Sequence, residues 1–168
     1  FTGTFDGQNH TIEDLYIDRP DESTVGLFEV LGNKGSKGKI EDLGIVDADV
    51  SGNKTVGALL GWNLLNGEIE NTYSSGEIDG NIEVGGLVGE NGGSKVFHSY
   101  SAASVHGNSS VGGLIGGNKD AVYYGAFPGK VRESCAVGDV TGKINVGGLV
   151  GSNTGDIRNS YSRGDVKG

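Results

Sequence analysis

Cysteine is almost missing from this chain. Cys135 stands alone among 168 residues, so no internal disulfide can form. Basic residues are scarce as well: 13 Lys and Arg against 22 Asp and Glu give a formal net charge of −9. That balance argues against a phosphate-backbone partner, because DNA and RNA binding needs a basic patch. The plain reading of the acidic excess is solubility. No apolar run approaches the ~18 residues needed to span a membrane, and the opening stretch lacks the make-up of a signal peptide. No stretch holds a 3.6-residue apolar period for ten residues, so helices are not expected.

Glycine, by contrast, is abundant at 33 residues. The glycines keep no every-third-residue period, which excludes collagen, and recurring Val/Leu/Ile runs exclude simple disorder. Those runs are a repeat. Val-Gly opens it at Val25, Val56, Val84, Val111 and Val146. Asn63, Asn91, Asn118 and Asn153 follow the last four at one offset. A second segment opens at Ile12, Ile40, Ile69, Val96, Val131 and Ile157, and a short Val/Ile-x-Gly forms the third. From Gly52, Gly80, Gly107 and Gly142 to the next Val is always four residues.

Fixed spacing is what stacking demands, since each segment must lie on its counterpart one coil below. The expected fold is all-β: a parallel β-helix, or β-solenoid, of about six coils with three short strands each. At about 4.8 Å per coil the rod would be roughly 25–30 Å long. The chain opens in mid-pattern at Phe1 and stops at Gly168, where earlier copies carry on. One solenoid domain over 1–168, excised from a larger protein, is therefore expected.

Two columns follow from the alignment of copies. The third residue of the second segment is Asp14, Asp42, Asn71, His98, Glu133 or Asn159. Asn, Asp and His best tolerate the left-handed region, so this column reads as a positive-φ corner with Glu133 as the exception. Its side chains could also form a polar ladder along the rod. Two residues on stand Tyr16, Gly44, Tyr73, Tyr100, Cys135 and Tyr161. An inward column would be an aromatic core stack, which is the reading favoured here; an outward one would be a stripe able to stack on sugars.

Signs of chemistry are few. Asp47-Ala48-Asp49 resembles the start of an EF-hand loop, but the closing position holds Ala58. His10, His98 and His106 share no spacing, which argues against a zinc site. Neither a metal, a cofactor nor a catalytic set is called for. The sequons at Asn53 and Asn108 fall in one turn column and are accounted for by turn chemistry. One irregularity remains. Between the repeat Asn and the next segment the fourth copy holds twelve residues, 119–130, where the other complete copies hold three to five. This insertion carries Tyr123, Tyr124 and Phe127, which makes it the candidate ligand-binding loop; alternatively its aromatics fold back over the side of the rod.

The run V-G-G-L-V-G-x-N followed by I-x-N-S-Y-S-x-G-x-V-x-G resembles the GLUG repeat. It is clearest from Val146 through Asn153 and on from Ile157 through Ser162. Phe1 to Ile12 is similar to a lead-in that precedes such repeats. Two places depart from the pattern: Val25–Val30 lacks the second glycine, and the fourth copy carries the insertion. The resemblance implies secreted or cell-surface proteins of bacteria and archaea, among them adhesin-like proteins and the non-catalytic region of IgA-specific metallopeptidases. It implies a right-handed β-helix with no catalytic residues to carry over. The expectation is thus a surface spacer or adhesive scaffold. Its partner would be a host or cell-surface protein or a glycan, beside the flanking domains of its parent chain, with end-to-end self-association through open β edges. One alternative is a polysaccharide-binding or polysaccharide-acting β-helix, with a groove lined by carboxylates of adjacent coils. The other is an ice-binding solenoid, for which Thr is too scattered.

Overall fold

A computed structural model describes residues 1–121 and 127–168. Every described residue in regular structure is in a strand, and every strand pair between coils is parallel. Among the described residues no helix is long and apolar enough to cross a membrane. The strands stack into three sheets of a β-solenoid. One sheet holds Thr24–Val25, Thr55–Val56, Glu83–Gly85, Ser109–Gly112 and Ile144–Gly147. A second holds Phe28–Leu31, Leu60–Leu64, Val88–Gly92, Ile115–Lys119 and Val150–Asn153. The third and largest takes all the remaining segments.

The repeat period becomes register directly. Val56 pairs with Val84, Val84 with Val111 and Val111 with Val146. Ile69, Val96 and Val131 form a second such file, and Ile78, Val105 and Val140 a third. All of these except Val146 are fully buried. Each is worth about 1.5–3 kcal/mol of hydrophobic stabilisation, so a coil is held by the coils that cover its apolar row.

The Val-Gly-Gly-Leu run, expected as one strand, breaks into two. Its first half lies in one sheet and its second half in the next, with a bend at Gly86–Leu87 and its equivalents. The bend folds the carbonyl of Val88 back over Gly85, where a Cβ would stand 2.1 Å from that oxygen. Only glycine fits there, and the same clash recurs at Gly112 and Gly147. A turn therefore contributes up to five short strand pieces to three sheets, rather than three strands.

Five turns are stacked in the two smaller sheets, against the six coils expected. The opening strands, Thr4–Glu13 and Tyr16–Asp18, add a sixth layer to the third sheet alone. Here the register differs from the sequence alignment. Phe5, not Ile12, pairs with Ile40, while Ile12 pairs with Ile45. Gln8 and Asn9, both at positive φ, mark a register shift between Asp6 and His10.

Candidate functional site

Each of the six corner residues has positive φ: Asp14 54°, Asp42 53°, Asn71 51°, His98 49°, Glu133 50° and Asn159 51°. Glu133 adopts it despite its residue type. Asp14, however, stands one corner further on, beside the layer of Asp47, because of the register shift. Two rungs of a polar ladder are present in this column. Asn71 Nδ2 donates to Asp42 Oδ1 at 3.1 Å, and His98 Nε2 lies 3.0 Å from Glu133 Oε2.

The continuous ladder lies elsewhere, inside the rod. Asn63 Nδ2 donates to Asn91 Oδ1 at 2.8 Å, Asn91 to Asn118 at 2.8 Å and Asn118 to Asn153 at 2.7 Å. The other amide hydrogen of each reaches a backbone carbonyl, of Lys95, Ser94, Gly129 and Gly155 in turn. In the layer below, the register partner of Asn63 is Leu31, so Asn63 Oδ1 has no donor. The signal in the sequence was the fixed Asn offset, and it marks structure rather than a binding site.

The tyrosine column points outward, which corrects the favoured reading of a buried stack. Tyr100 and Tyr161 are 43% and 51% exposed, and Cys135 is half-buried. Tyr16 leaves the column altogether, pairing with Asp49. The physical reason is at the corner. Positive φ at Asn71 and His98 turns two successive side chains outward, and this resets the alternation. The inward positions then go to Thr72, Ser74, Ser99 and Ser101, all buried. Ser99 N–H donates to Ser134 Oγ at 3.2 Å, and Ser134 N–H to Ser160 Oγ at 3.2 Å. Several of the ring faces are covered. Tyr73 and Tyr100 stack on each other at 5.0 Å and 2°, Tyr73 covers Gly44, and Arg163 lies 5.2 Å over Tyr161.

Of the insertion aromatics, Tyr123 and Tyr124 lie outside the described residues. Phe127 is 54% exposed, and its carbonyl accepts the Ala121 N–H at 2.8 Å. It lines a groove of about 450 Å³ together with Pro128 and four lysines, Lys37, Lys39, Lys95 and Lys130. Gly38, Gly67 and Ser94 also line it. Glu68 is in register with both Lys39 and Lys95, and Lys95 with Lys130, so these side chains occupy successive coils of one outward file. Carboxylates position two of them. Lys39 Nζ lies 2.6 Å from Glu41 and 2.9 Å from Glu70, and Lys95 Nζ lies 2.7 Å from Glu68. The bonds from Glu41 and Glu70 hold the Lys39 ammonium well above its ordinary range, and Lys39 in turn lowers Glu70. Among the described residues, Lys37 and Lys130 have no carboxylate partner. Sequence reading missed this file, although its signal was the residue just before each apolar opener: Lys39, Glu68, Lys95, Lys130.

The acids offer two other places to look. Glu83 and Glu90 flank Lys119, which is bonded to Glu83 and lies 3.3 Å from Glu90. Burial, then the hydrogen bond and charge of Glu83, push Glu90 up to about 7, against the pull of Lys119. Both carboxylates come from one coil, and the lysine of the next covers them. A separate depression of about 380 Å³ is lined by Asp47, Asp49, Glu77 and His106, with Asp49 and Glu77 on adjacent coils. Glu90 is not part of it. The conjunction that a polysaccharide-cleaving site needs, a groove with paired acids and a shifted pKa, is thus divided between two places. Among the described residues no group of His, Cys, Asp and Glu converges as a metal site.

A family model, described as the GLUG motif, matches residues 142–167. Residues 142–167 carry the GLUG motif. Its strands are in register with the coil below: Ile157 on Val131, Tyr161 on Cys135 and Val166 on Val140. The GLUG coil is thus one layer of the same stack as the rest of the rod. Halomucin of Haloquadratum walsbyi is 42% identical over 90 residues, which are 54% of this chain and 1% of that protein. A solved Bacteroides ovatus structure, provisionally named an immunoglobulin A1 protease, shares the fold with a TM-score of 0.58 at 20% identity. The match covers 94% of this chain and 59% of that one. The chain therefore spans a very small part of the one relative and about three-fifths of the other.

Proposed function

We propose that this chain is a non-catalytic extracellular repeat module serving as a stiff scaffold, either a spacer or an adhesive rod. The observation that carries the reading is the division of labour along the sequence. The described strands belong to the in-register stack, and the one long departure from the period is the insertion at 119–130, whose Phe127 lines a groove. The GLUG motif at 142–167 and a relative named Halomucin support an extracellular setting. The partner would be a host or cell-surface protein or a glycan. A polysaccharide-binding β-helix is the second reading, favoured by the groove.

A glycan and matrix-protein array probed with the isolated chain tests the adhesive version. A specific hit that is lost when Tyr123, Tyr124 and Phe127 become Ala, with the circular dichroism unchanged, supports it. A blank array removes it and leaves the spacer. The extracellular setting is tested by protease accessibility on intact producing cells; full protection would sink it.

A further inference from the structure

The chain is acidic overall, yet four of its 13 basic residues line a single groove. Adjacent coils set their residues about 4.8 Å apart, so Lys95 and Lys130 stand one layer apart and Lys39 two layers below Lys95. A polymer lying along the rod axis would meet an ammonium on three of four layers and, on the layer between Lys39 and Lys95, the Glu68 carboxylate that is paired with Lys95. The ion pairs made by Lys39 and Lys95 hold those side chains in place, whereas Lys37 and Lys130 have no carboxylate partner among the described residues. Ammonium groups without a carboxylate partner suit acid groups carried by a ligand. Phe127 adds an exposed ring at the wall, and Thr4 and Asn66 add hydroxyl and amide partners. Cations, an aromatic face and neutral hydrogen-bonding groups together match a saccharide that bears acids better than a bare polyanion.

We propose that the groove between the lysine file and Phe127 binds an extended anionic glycan, its carboxylates or sulfates held by lysines of successive coils. This deepens the adhesive version of the reading above and rests on it. The test is calorimetry with the isolated chain against polygalacturonate, dextran sulfate, neutral dextran and poly-L-glutamate. Binding to polygalacturonate or dextran sulfate is expected, weakening as salt rises and absent for neutral dextran; which polymer binds tells carboxylate from sulfate. The double variant Lys37→Gln/Lys130→Gln should bind about tenfold more weakly or worse, and Phe127→Ala about fivefold, each with unchanged melting. Lys143→Gln, outside the groove, should bind as the parent does. No binding to either anionic glycan, or equal binding by the double variant, overturns the proposal. Equal binding to poly-L-glutamate with no effect of Phe127→Ala also overturns it and assigns the groove to acidic protein. An array hit on a neutral glycan without polyanion binding would sink this site while leaving the adhesive reading intact.

Discussion

At the residue scale, the buried asparagines tie the coils together most specifically. Asn91 is fully buried, donates to Asn118 and accepts from Asn63. Asn91→Ala would strand an acceptor above, Asn118 Oδ1, and a donor below, Asn63 Nδ2, each costing about 1–3 kcal/mol when buried. Chemical denaturation should show a loss of about 3–5 kcal/mol. Asn108→Ala, in the exposed Asn81–Asn108 pair, should cost under about 1 kcal/mol. Glu90 gives a pH dependence. Its ordinary value is 4.5 and its folded value about 7, so between those limits the folded state binds the extra proton. The group's contribution is complete below pH 4.5 and is lost as pH rises through 7. The loss should be about 1–2 kcal/mol after allowing for solvent and for the coupled Glu83 and Lys119. Glu90→Gln should flatten this slope when denaturation is compared at pH 5 and pH 8; a variant that keeps the slope would show that another group causes it.

At the scale of the element, corners and bends decide which way a strand faces. The left-handed corner costs a residue other than Gly, Asn or Asp about 1–2 kcal/mol. Glu133→Asn relieves that at the expense of an exposed contact to His98, so the melting temperature should rise, by about 0.5–1 kcal/mol in stability. No rise, or a fall, would show that the His98–Glu133 rung matters more than the strain. The Val-Gly bend is less forgiving. With a carbonyl 2.1 Å from the Cβ position at Gly85, Gly85→Ala should leave the chain unfolded or lose more than about 3 kcal/mol.

At the scale of the molecule, stacking leaves open faces. The strands of residues 144–167 pair on one side only, and Ile144 and Val166 are 60% and 47% exposed there. Unpaired strand edges with apolar side chains template further pairing. The isolated chain should therefore associate end to end, with light scattering showing mass that rises with concentration. Ile144→Lys/Val166→Lys should return it to monomer, whereas a strict monomer at every concentration would contradict the idea.

How much was legible follows from the same physics. Period, parallel register and core files were determined by sequence, because stacking admits only equal spacing: Val56, Val84, Val111 and Val146 could align in one way. The positive-φ corners followed from residue type at all but Glu133. Only the tertiary structure decided the rest. It turned Tyr73 and Tyr100 outward, since two consecutive outward residues at the corner break the alternation a strand would keep. It moved Asp14 and Tyr16 one segment along, since a shift near Gln8 and Asn9 resets the pairing. It also gathered Lys37, Lys39, Lys95 and Lys130 with Phe127 into one groove, because residues 93 positions apart become neighbours only when the coils are laid one on another.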